Sequence, residues 1–222
     1  EVRDCVQIES PVEAIHIEAN KAVGVRVRGE DVEAAAVVST APVHILAKLV
    51  QGTDTLVPFA QFQYRPMVFV NLRLAGPSGM PEVVTWTPGK EFPFFRVSDI
   101  GLGLPWLVPP GKSQITCDIG CRVGDDVWSL SQEELGRICI ASLETIVPGI
   151  TVRYLGCRVV RTPLAYPVFR TSYENDRRQF ESGTGIAGLA SVGRNGEFAH
   201  ILMEDVFWRT RRKMLALIES LN

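Results

Sequence analysis

The stretch Gly188-Leu189-Ala190-Ser191-Val192-Gly193-Arg194-Asn195-Gly196 predicts a strand over its first five residues and a turn over its last four. A long amphipathic helix is predicted downstream, from about residue 202 to residue 221. Glycine lets backbone approach a ligand closely, and a helix start offers unpaired N–H groups and a positive dipole end. Arg194 adds a planar donor fork suited to a pyrophosphate or a carboxylate. Locally, the pattern is also compatible with an ordinary strand–turn–helix connection.

The beginning of the chain predicts short strands joined by tight turns. Strands are expected over residues 5–9 and 14–18, and residues 24–28 alternate apolar and charged side chains as a half-buried strand does. Residues 34–39 are apolar on both faces, as expected for a buried strand of a parallel sheet. Pro42 suits the first turn of a helix that runs to about Leu49. Ligands of open α/β sheets bind at the carboxyl ends of strands, so this strand end is a candidate site.

Residues 56–130 have a different character, because they are rich in proline, glycine and aromatic side chains. Strands are predicted over residues 62–74, 82–87 and 113–121 without a long helix between them, which favours an antiparallel or mixed sheet. Ser131 and Glu134 then have the spacing of a capping box, and Pro148-Gly149 ends the helix that follows. Residues 152–160 predict a further strand, followed by an extended segment with two prolines at 162–168.

Composition excludes several classes of function. The formal net charge of -2 over 222 residues gives no attraction to nucleic acid. No apolar run approaches the roughly 20 residues that span a bilayer. The five scattered cysteines suggest free thiols in a reducing cytoplasm, and Cys117-x3-Cys121 lacks a second metal-binding pair, so we expect no metal site. Residues 1–5 resemble neither a signal peptide nor a natural leader, so we expect the sequence to begin inside a longer protein.

Three separate stretches resemble the flavin amine-oxidase superfamily, which includes protoporphyrinogen oxidase, phytoene desaturase and UDP-galactopyranose mutase relatives. The opening resembles the middle of that superfamily, and Gly188 to Asp205 resembles its second FAD motif in a Gly-Arg-x-Gly form. Between them, Ala165-Tyr166-Pro167-Val168 resembles the approach to that motif. The opening matches are Ser10-Pro11-Val12-Glu13-Ala14-Ile15, Gly24-Val25-Arg26-Val27 and Ala36-Val37-Val38-Ser39-Thr40-Ala41-Pro42. The resemblance spans nearly the whole chain in the family's order.

The resemblance implies FAD as the cofactor and assigns contacts to it. Val12 would offer backbone contacts to the adenine, and the pyrophosphate and adenosine would be lined by the residues that follow the buried strand. The flavin's pyrimidine edge would face the start of the last helix, where backbone N–H groups stabilise reduced-flavin charge. The implied contacts after Val12 are Thr40, Ala41, Pro42, Gly193, Arg194, Met203, Glu204 and Asp205.

One family motif is expected upstream of these residues. The G-x-G-x-x-G fingerprint and the ribose-binding acid would precede Glu1, so the resemblance implies that this chain alone does not hold FAD tightly. The fold class expected is α+β, with residues 1–55 and 185–222 completing a dinucleotide-binding domain. Residues 56–184 would form a substrate domain on a mixed or antiparallel sheet.

Candidate substrate-binding residues lie in the predicted substrate domain. Arg96, among aromatic residues, suits a substrate carboxylate or phosphate, with a surface ion pair as the alternative, and Tyr166 would supply a pocket hydroxyl. No Ser-His-Asp order or metal spacing connects His16, His44 and His200, which disfavours hydrolytic chemistry, and no residue is assigned as a catalytic base. Six aromatic residues would either line an apolar cavity or form the core: Trp86, Phe92, Phe94, Phe95, Trp106 and Trp128.

The function implied is that of an FAD-dependent oxidoreductase which takes a hydride from a small organic substrate, the fragment alone being inactive. Two alternatives stay open: a non-catalytic binding or subunit-contact module, and a flavin-dependent sugar-nucleotide mutase. An arginine- and tyrosine-rich pocket would favour the mutase, and an aromatic one oxidation or desaturation. We expect a small-molecule substrate, no nucleic acid, and self-association through exposed apolar sheet edges. Arg209, Arg211, Arg212 and Lys213 would form a solvated face of the last helix.

Overall fold

The computed structural model describes residues 3–221, and Glu1, at the proposed internal start, lies outside them. The chain divides into two compact units, unit 1 comprising Glu1–Gln63 with Tyr166–Asn222, and unit 2 comprising Tyr64–Ala165. The strands are β1 (Val12–Glu18), β2 (Lys21–Val27), β3 (Glu30–Glu33), β4 (Val37–Ser39), β5 (Val50–Gln51), β6 (Tyr64–Ala75), β7 (Val84–Trp86), β8 (Arg96–Ser98), β9 (Lys112–Gly120), β10 (Tyr154–Pro167) and β11 (Leu189–Ser191). The α-helices are α1 (Val43–Leu49), α2 (Ile100–Gly103), α3 (Asp126–Ser129), α4 (Gln132–Leu143), α5 (Glu174–Glu181), α6 (Gly193–Gly196) and α7 (Met203–Leu221).

Unit 1 contains two sheets. One has the strand order β3-β2-β1-β5, with antiparallel hairpins and a parallel β1–β5 pair. The other pairs β4 with β11 in parallel, with Leu189 opposite Val37 and Ser191 opposite Ser39. An aromatic cluster connects residues 59–62 with residues 173–198 of the same unit. In this cluster the Phe62 and Phe198 rings stack with their centroids 4.2 Å apart. Its other members are Phe59, Tyr173 and Phe180.

Unit 2 is built on a five-stranded sheet with the order β10-β6-β9-β8-β7. The β6–β9, β9–β8 and β8–β7 pairs are antiparallel. Alternate residues of β6 and β9 are apolar and buried, so one face of the sheet carries the core against α4. The antiparallel pairs of this sheet agree with the mixed or antiparallel sheet predicted from the sequence, and the fold is of the α+β class. The helix contributes Leu135, Cys139, Ile140 and Leu143 to that core.

Several local predictions are confirmed. The Ser131 hydroxyl accepts a hydrogen bond from the Glu134 N–H at 3.2 Å, and the Glu134 carboxylate accepts one from the Ser131 N–H at 2.9 Å, which completes the capping box. Pro42 directly precedes α1, and α7 covers the predicted amphipathic segment.

None of the helices within residues 3–221 combines the length and apolar character needed to cross a membrane.

Two predicted strands of the opening differ from the structure. Residues 5–9 form no strand, because Val6 and Ile8 are exposed and no strand of the described chain pairs with them. The strand predicted over residues 34–39 is shorter, and Val38 is 45% exposed, because β4 has a neighbour on one side only within residues 3–221.

Two later segments also differ in extent or type. Residues 193–196, expected as a turn, form the single helical turn α6. Residues 152 and 153, predicted as strand, belong to a 3-10 turn over Thr151–Arg153. From Tyr154 onward, the predicted strand and the extended segment that follows it form one continuous strand, β10, which ends at Pro167.

The aromatic residues of unit 2 divide between the two roles considered for them. Phe94 is fully buried, and Phe92 and Trp128 pack against the same core. Trp86 and Trp106 are 63% and 76% exposed. The core interpretation therefore holds for the first three, whereas the two exposed tryptophans have large apolar surfaces open to a ligand or partner.

Candidate functional site

The carboxyl ends of β4 and β11 lie at the same edge of their sheet, because the two strands run parallel with Ser39 opposite Ser191. The Val192 N–H donates a 2.9 Å hydrogen bond to the Ser39 carbonyl, which holds the two chain segments together one residue past the strand end. Thr40, Ala41 and Gly193 follow immediately. Two of the sequence-predicted cofactor segments therefore meet at the sheet edge where α/β proteins bind ligands.

The turn of α6 rests directly on the loop that follows β4. The Ser191 hydroxyl donates a 2.7 Å hydrogen bond to the Gly196 carbonyl, and a Cβ on Gly196 would lie 3.4 Å from the Ala41 carbonyl oxygen. Gly193 has a φ of +85°, a left-handed conformation that favours glycine, and no atom lies within 4 Å of where its Cβ would be. The turn thus combines a tight inner side with open space beside Gly193.

Arg194 projects from this turn into a cluster with two aromatic side chains. Its Nη2 atom lies 2.9 Å from the Nδ1 of His200, and its guanidinium carbon lies 4.8 Å from the centroid of the Tyr166 ring. The Tyr166 and His200 ring centroids are 5.7 Å apart. The Nε of Arg194 is buried and has no hydrogen-bond partner among residues 3–221. The arginine is therefore held in place by the histidine and the tyrosine.

The start of α7 carries the third predicted cofactor segment. Met203 is 90% exposed, and Glu204 and Asp205 lie in the first helical turn. The Asp205 carboxylate accepts a 3.1 Å hydrogen bond from the Leu202 N–H, so it caps the N-terminus of α7. The side chain of Asp205 is therefore committed to the start of the helix.

Helix α7 is also attached to the strand end. The Lys213 Nζ donates a 2.9 Å hydrogen bond to the Ser191 carbonyl and lies 3.4 Å from the Glu197 carboxylate, which Arg209 contacts at the same distance. The prediction of a solvated face is therefore wrong for Lys213, whereas Arg209 keeps 40% of its side chain exposed. Arg211 and Arg212 are exposed, as predicted. Glu197 is only 7% exposed, and it attracts both cations to the inner side of the helix.

Val12 lies in a different sheet from these segments. It begins β1, pairs with Val27 in the hairpin sheet and is 39% exposed. A groove of about 820 Å³ runs along the hairpin sheet, lined in part by His16, Arg26 and Asp31, but it contains none of the predicted cofactor residues. Val12 and the strand ends of β4 and β11 therefore belong to separate sheets of unit 1.

Within unit 2, Arg96 belongs to a row of side chains across the sheet. The register places Phe69 opposite Asp118, Asp118 opposite Arg96, and Arg96 opposite Trp86. Directly opposed residues share a face, so all four lie together. The Arg96 Nη2 donates to Asp118, and its guanidinium carbon lies 5.6 Å from the centroid of a Trp86 ring. Arg96 therefore forms an ion pair, as the alternative interpretation held, although its partner is buried.

Burial dominates the ionisation of Asp118. The residue is 1% exposed, and this desolvation raises its pKa, although the Arg96 guanidinium acts in the opposite direction. Sequence reasoning missed Asp118, because a separation of 22 positions gives no sign that it and Arg96 are cross-strand neighbours. Alternation gives no signal either, since Thr116 and Asp118 are interleaved with apolar residues as any solvent-facing pair would be.

The match to a protein family covers most of the chain. A family model described as "Flavin containing amine oxidoreductase" matches residues 2–205. The chain belongs to the flavin-containing amine oxidoreductase family. No curated protein matches its sequence.

Solved structures share the fold of this amine oxidoreductase chain. It aligns with a putrescine oxidase bound to putrescine (TM-score 0.71, 16% identity, 97% of this chain and 50% of that one). It also aligns with an oxidoreductase from Methanosarcina mazei (TM-score 0.63, 21% identity, 92% and 48%) and with a reduced UDP-galactopyranose mutase (TM-score 0.67, 17% identity, 84% and 40%). The chain spans half or less of the length of these proteins, and at these identities the likeness concerns the fold alone.

The residues at the strand ends fit a flavin dinucleotide, the cofactor that the family name implies. The open space beside Gly193 admits a ligand close to the backbone, and the guanidinium of Arg194 has the positive charge and planar donor geometry that suit a phosphate. Among residues 3–221 no group of three or more histidine, cysteine, aspartate or glutamate side chains is arranged to hold a metal ion.

Proposed function

We propose that this chain is part of a cytoplasmic FAD-dependent oxidoreductase, with the dinucleotide on unit 1 and the substrate on unit 2. The observation that carries the proposal is the meeting of the 40–42 loop and the Gly193–Arg194 turn at the carboxyl ends of two parallel strands. The bound flavin would supply the acceptor for a hydride from a C–H or C–N centre of a small organic substrate. The protein's part is to bind, orient and desolvate.

The proposed cofactor contacts divide by position. Gly193 and Arg194 would bind the pyrophosphate, with the backbone of Thr40, Ala41 and Pro42 lining the dinucleotide beside them. The backbone N–H groups of Met203, Glu204 and Asp205 would face the flavin. Val12 as an adenine contact rests on the family resemblance. Tight binding is expected to need the family's N-terminal G-x-G-x-x-G segment, which opens a helix. The string Gly183-Thr184-Gly185-Ile186-Ala187-Gly188 has the same spacing, but it leads into strand β11 rather than into a helix.

The proposed substrate contacts centre on the sheet of unit 2. Arg96 bonds Asp118 through Nη2, so its remaining donors would bind a substrate carboxylate or phosphate between Phe69 and Trp86. Tyr166 belongs to unit 1, where its ring supports Arg194, and a substrate role for its hydroxyl rests on the sequence alone. No nucleic-acid partner is part of this proposal, because the protein is near neutral in charge.

A second candidate, flavin-dependent isomerisation of a sugar nucleotide, is favoured by one groove of unit 2. It has a volume of about 730 Å³ and a polar lining that includes Arg73, Gln114 and Arg158, which suits a phosphorylated substrate better than an apolar amine. The two candidates differ in electron balance. An oxidoreductase consumes an electron acceptor in proportion to product, whereas an isomerase turns over without net consumption.

The test is the visible absorbance of the whole gene product that contains this chain. We expect a yellow protein whose flavin bands bleach on reduction, and Arg194→Ala should lower its flavin content. Arg122→Ala, which changes an exposed arginine of unit 2, should leave the content unchanged. A colourless protein that does not bind added FAD would contradict the proposal and leave a non-catalytic binding module as the function.

A further inference from the structure

His200 has a fixed chemical role in its contact with Arg194. A guanidinium only donates hydrogen bonds, so the Nδ1 of His200, at 2.9 Å from Nη2, must accept. The imidazole therefore carries no proton on Nδ1, and a neutral ring has its proton on Nε2. His200 thus accepts a hydrogen bond from Arg194 through Nδ1.

Tyr166 restrains the same guanidinium from a second direction. The arginine lies 4.8 Å from the Tyr166 ring centroid, a distance at which the ring face attracts a cation. The histidine ring is 5.7 Å from the tyrosine ring, so the three side chains contact one another. Arginine has many rotamers, and restraining them before a ligand arrives removes part of the entropic cost of binding.

The orientation of Arg194 leaves one donor without a partner. Its Nε is buried and unbonded among the residues described, although burying an N–H without a hydrogen bond is unfavourable. The arginine also lies next to Gly193, where the backbone leaves open space. The guanidinium charge and this open space together suit an anion beside the turn.

We propose that His200 is a positioning residue that holds Arg194 in the orientation needed to bind the pyrophosphate of the dinucleotide. This inference rests on the proposed function, because it takes FAD as the ligand of the turn. His200 acts through the arginine and is not itself a contact of the cofactor. The role depends on an acceptor atom at the position of Nδ1 rather than on the imidazole ring as such.

Three variants of the whole gene product separate these requirements. His200→Phe keeps a ring against Tyr166 and removes the acceptor, whereas His200→Asn supplies an amide oxygen that accepts from the arginine. Arg194→Ala, alone and combined with His200→Phe, tests whether the histidine acts through the arginine. The dissociation constant for FAD is measured by flavin fluorescence, and the thermal unfolding midpoint reports on folding.

We expect His200→Phe to weaken FAD binding about tenfold, the size of one hydrogen bond to a charged group. His200→Asn should stay near wild type, and His200→Phe should add nothing in the Arg194→Ala background. Unchanged FAD affinity in His200→Phe would overturn the positioning role, and so would a loss of FAD affinity that is equal with and without Arg194. In either case, FAD binding by the wild-type protein would still support the proposed function. A wild-type protein that binds no FAD would overturn both.

Discussion

The hydroxyl of Ser191 donates a 2.7 Å hydrogen bond to the carbonyl of Gly196 and thereby closes the turn that follows β11. Ser191 is 4% exposed, so the bond is buried and lies on the inner side of the turn. The same glycine approaches the backbone of the loop after β4, since its Cβ position is 3.4 Å from the Ala41 carbonyl and 3.6 Å from that of Ser39. One residue without a side chain therefore sets the spacing between the two loops of the proposed cofactor site.

Gly196→Ala should disturb this spacing. The new methyl group would lie 3.1 Å from the Ser191 Oγ, so we expect a loss of about 1 to 2 kcal/mol in the free energy of unfolding, as for other overpacked sites. FAD affinity should fall as well, because the loop and the turn move apart. Gly103→Ala is the control, since its methyl group would make only ordinary contacts with Val83, at 3.5 Å and beyond. Urea denaturation showing equal stability for both variants would contradict the prediction.

Gly136→Ala should destabilise unit 2, although alanine favours helix by about 1 kcal/mol. The methyl group would collide with the Tyr154 hydroxyl and lie 2.6 Å from the Cys157 sulfur, because α4 packs closely on β10 at this point. We expect a net loss of about 2 kcal/mol, recovered in part by adding Tyr154→Phe. Ser142→Ala on the same helix tests propensity without the collision and should cause no loss. Stabilisation by Gly136→Ala would show that the helix is free to shift.

Arg96→Met should leave the buried Asp118 charge without its partner. Removing one member of a buried pair costs about 3 to 5 kcal/mol, which we expect to measure by denaturation at about pH 7. The loss should shrink towards about pH 4. Burial raises the folded-state pKa of Asp118, so its contribution to stability is present at low pH and is lost as the pH rises through that pKa.

Asp118→Asn provides the matched control for this pH dependence. An asparagine cannot ionise, so in the Arg96→Met background it should remove most of the difference between the two pH values. The loss of unfolding free energy could instead be the same at the two pH values, whether residue 118 is aspartate or asparagine. That result would show that the destabilisation comes from lost packing against Trp86 rather than from the unpaired Asp118 charge.

The 222-residue chain should self-associate when it is produced by itself. Exposed apolar side chains project from α7, and within residues 3–221 one edge of β4 is unpaired, with Val38 exposed. We expect the sedimentation coefficient to rise with concentration, and the double change Phe207→Gln and Trp208→Gln to reduce that rise. Arg211→Gln on the same helix is the control. A monomer at high concentration would contradict the prediction. The exposed residues of the helix include Met203, Phe207, Trp208, Leu215 and Ile218.

Local signals in the sequence predicted local structure well. The capping box needs only the four residues from Ser131 to Glu134, and Pro42 before α1 needs only its own ring geometry. The strands β6, β7 and β9 were predicted closely, because alternation along one strand reports its own burial. By contrast, residues 5–9 had strand-like composition but have no partner strand in the described chain.

Contacts between distant residues could not be predicted in this way. Lys213 bonds the Ser191 carbonyl across 22 positions, and its side chain resembles any exposed lysine of an amphipathic helix. Asp118 meets Arg96 only through the register of β8 on β9. In both cases the pairing energy depends on strand order and packing, which periodicity along the chain does not contain.

The sequence by itself determined the family resemblance, the α+β class and the segments that bear the cofactor motifs, because each depends on residues close together in the chain. Only the tertiary structure decided that the 40–42 loop and the Gly193–Arg194 turn meet at one sheet edge, and that His200 and Tyr166 hold Arg194. Parallel strands need distant segments to be brought side by side, and here Ser39 pairs with Ser191 although unit 2 lies between them in the sequence. That juxtaposition comes from the packing of the whole unit.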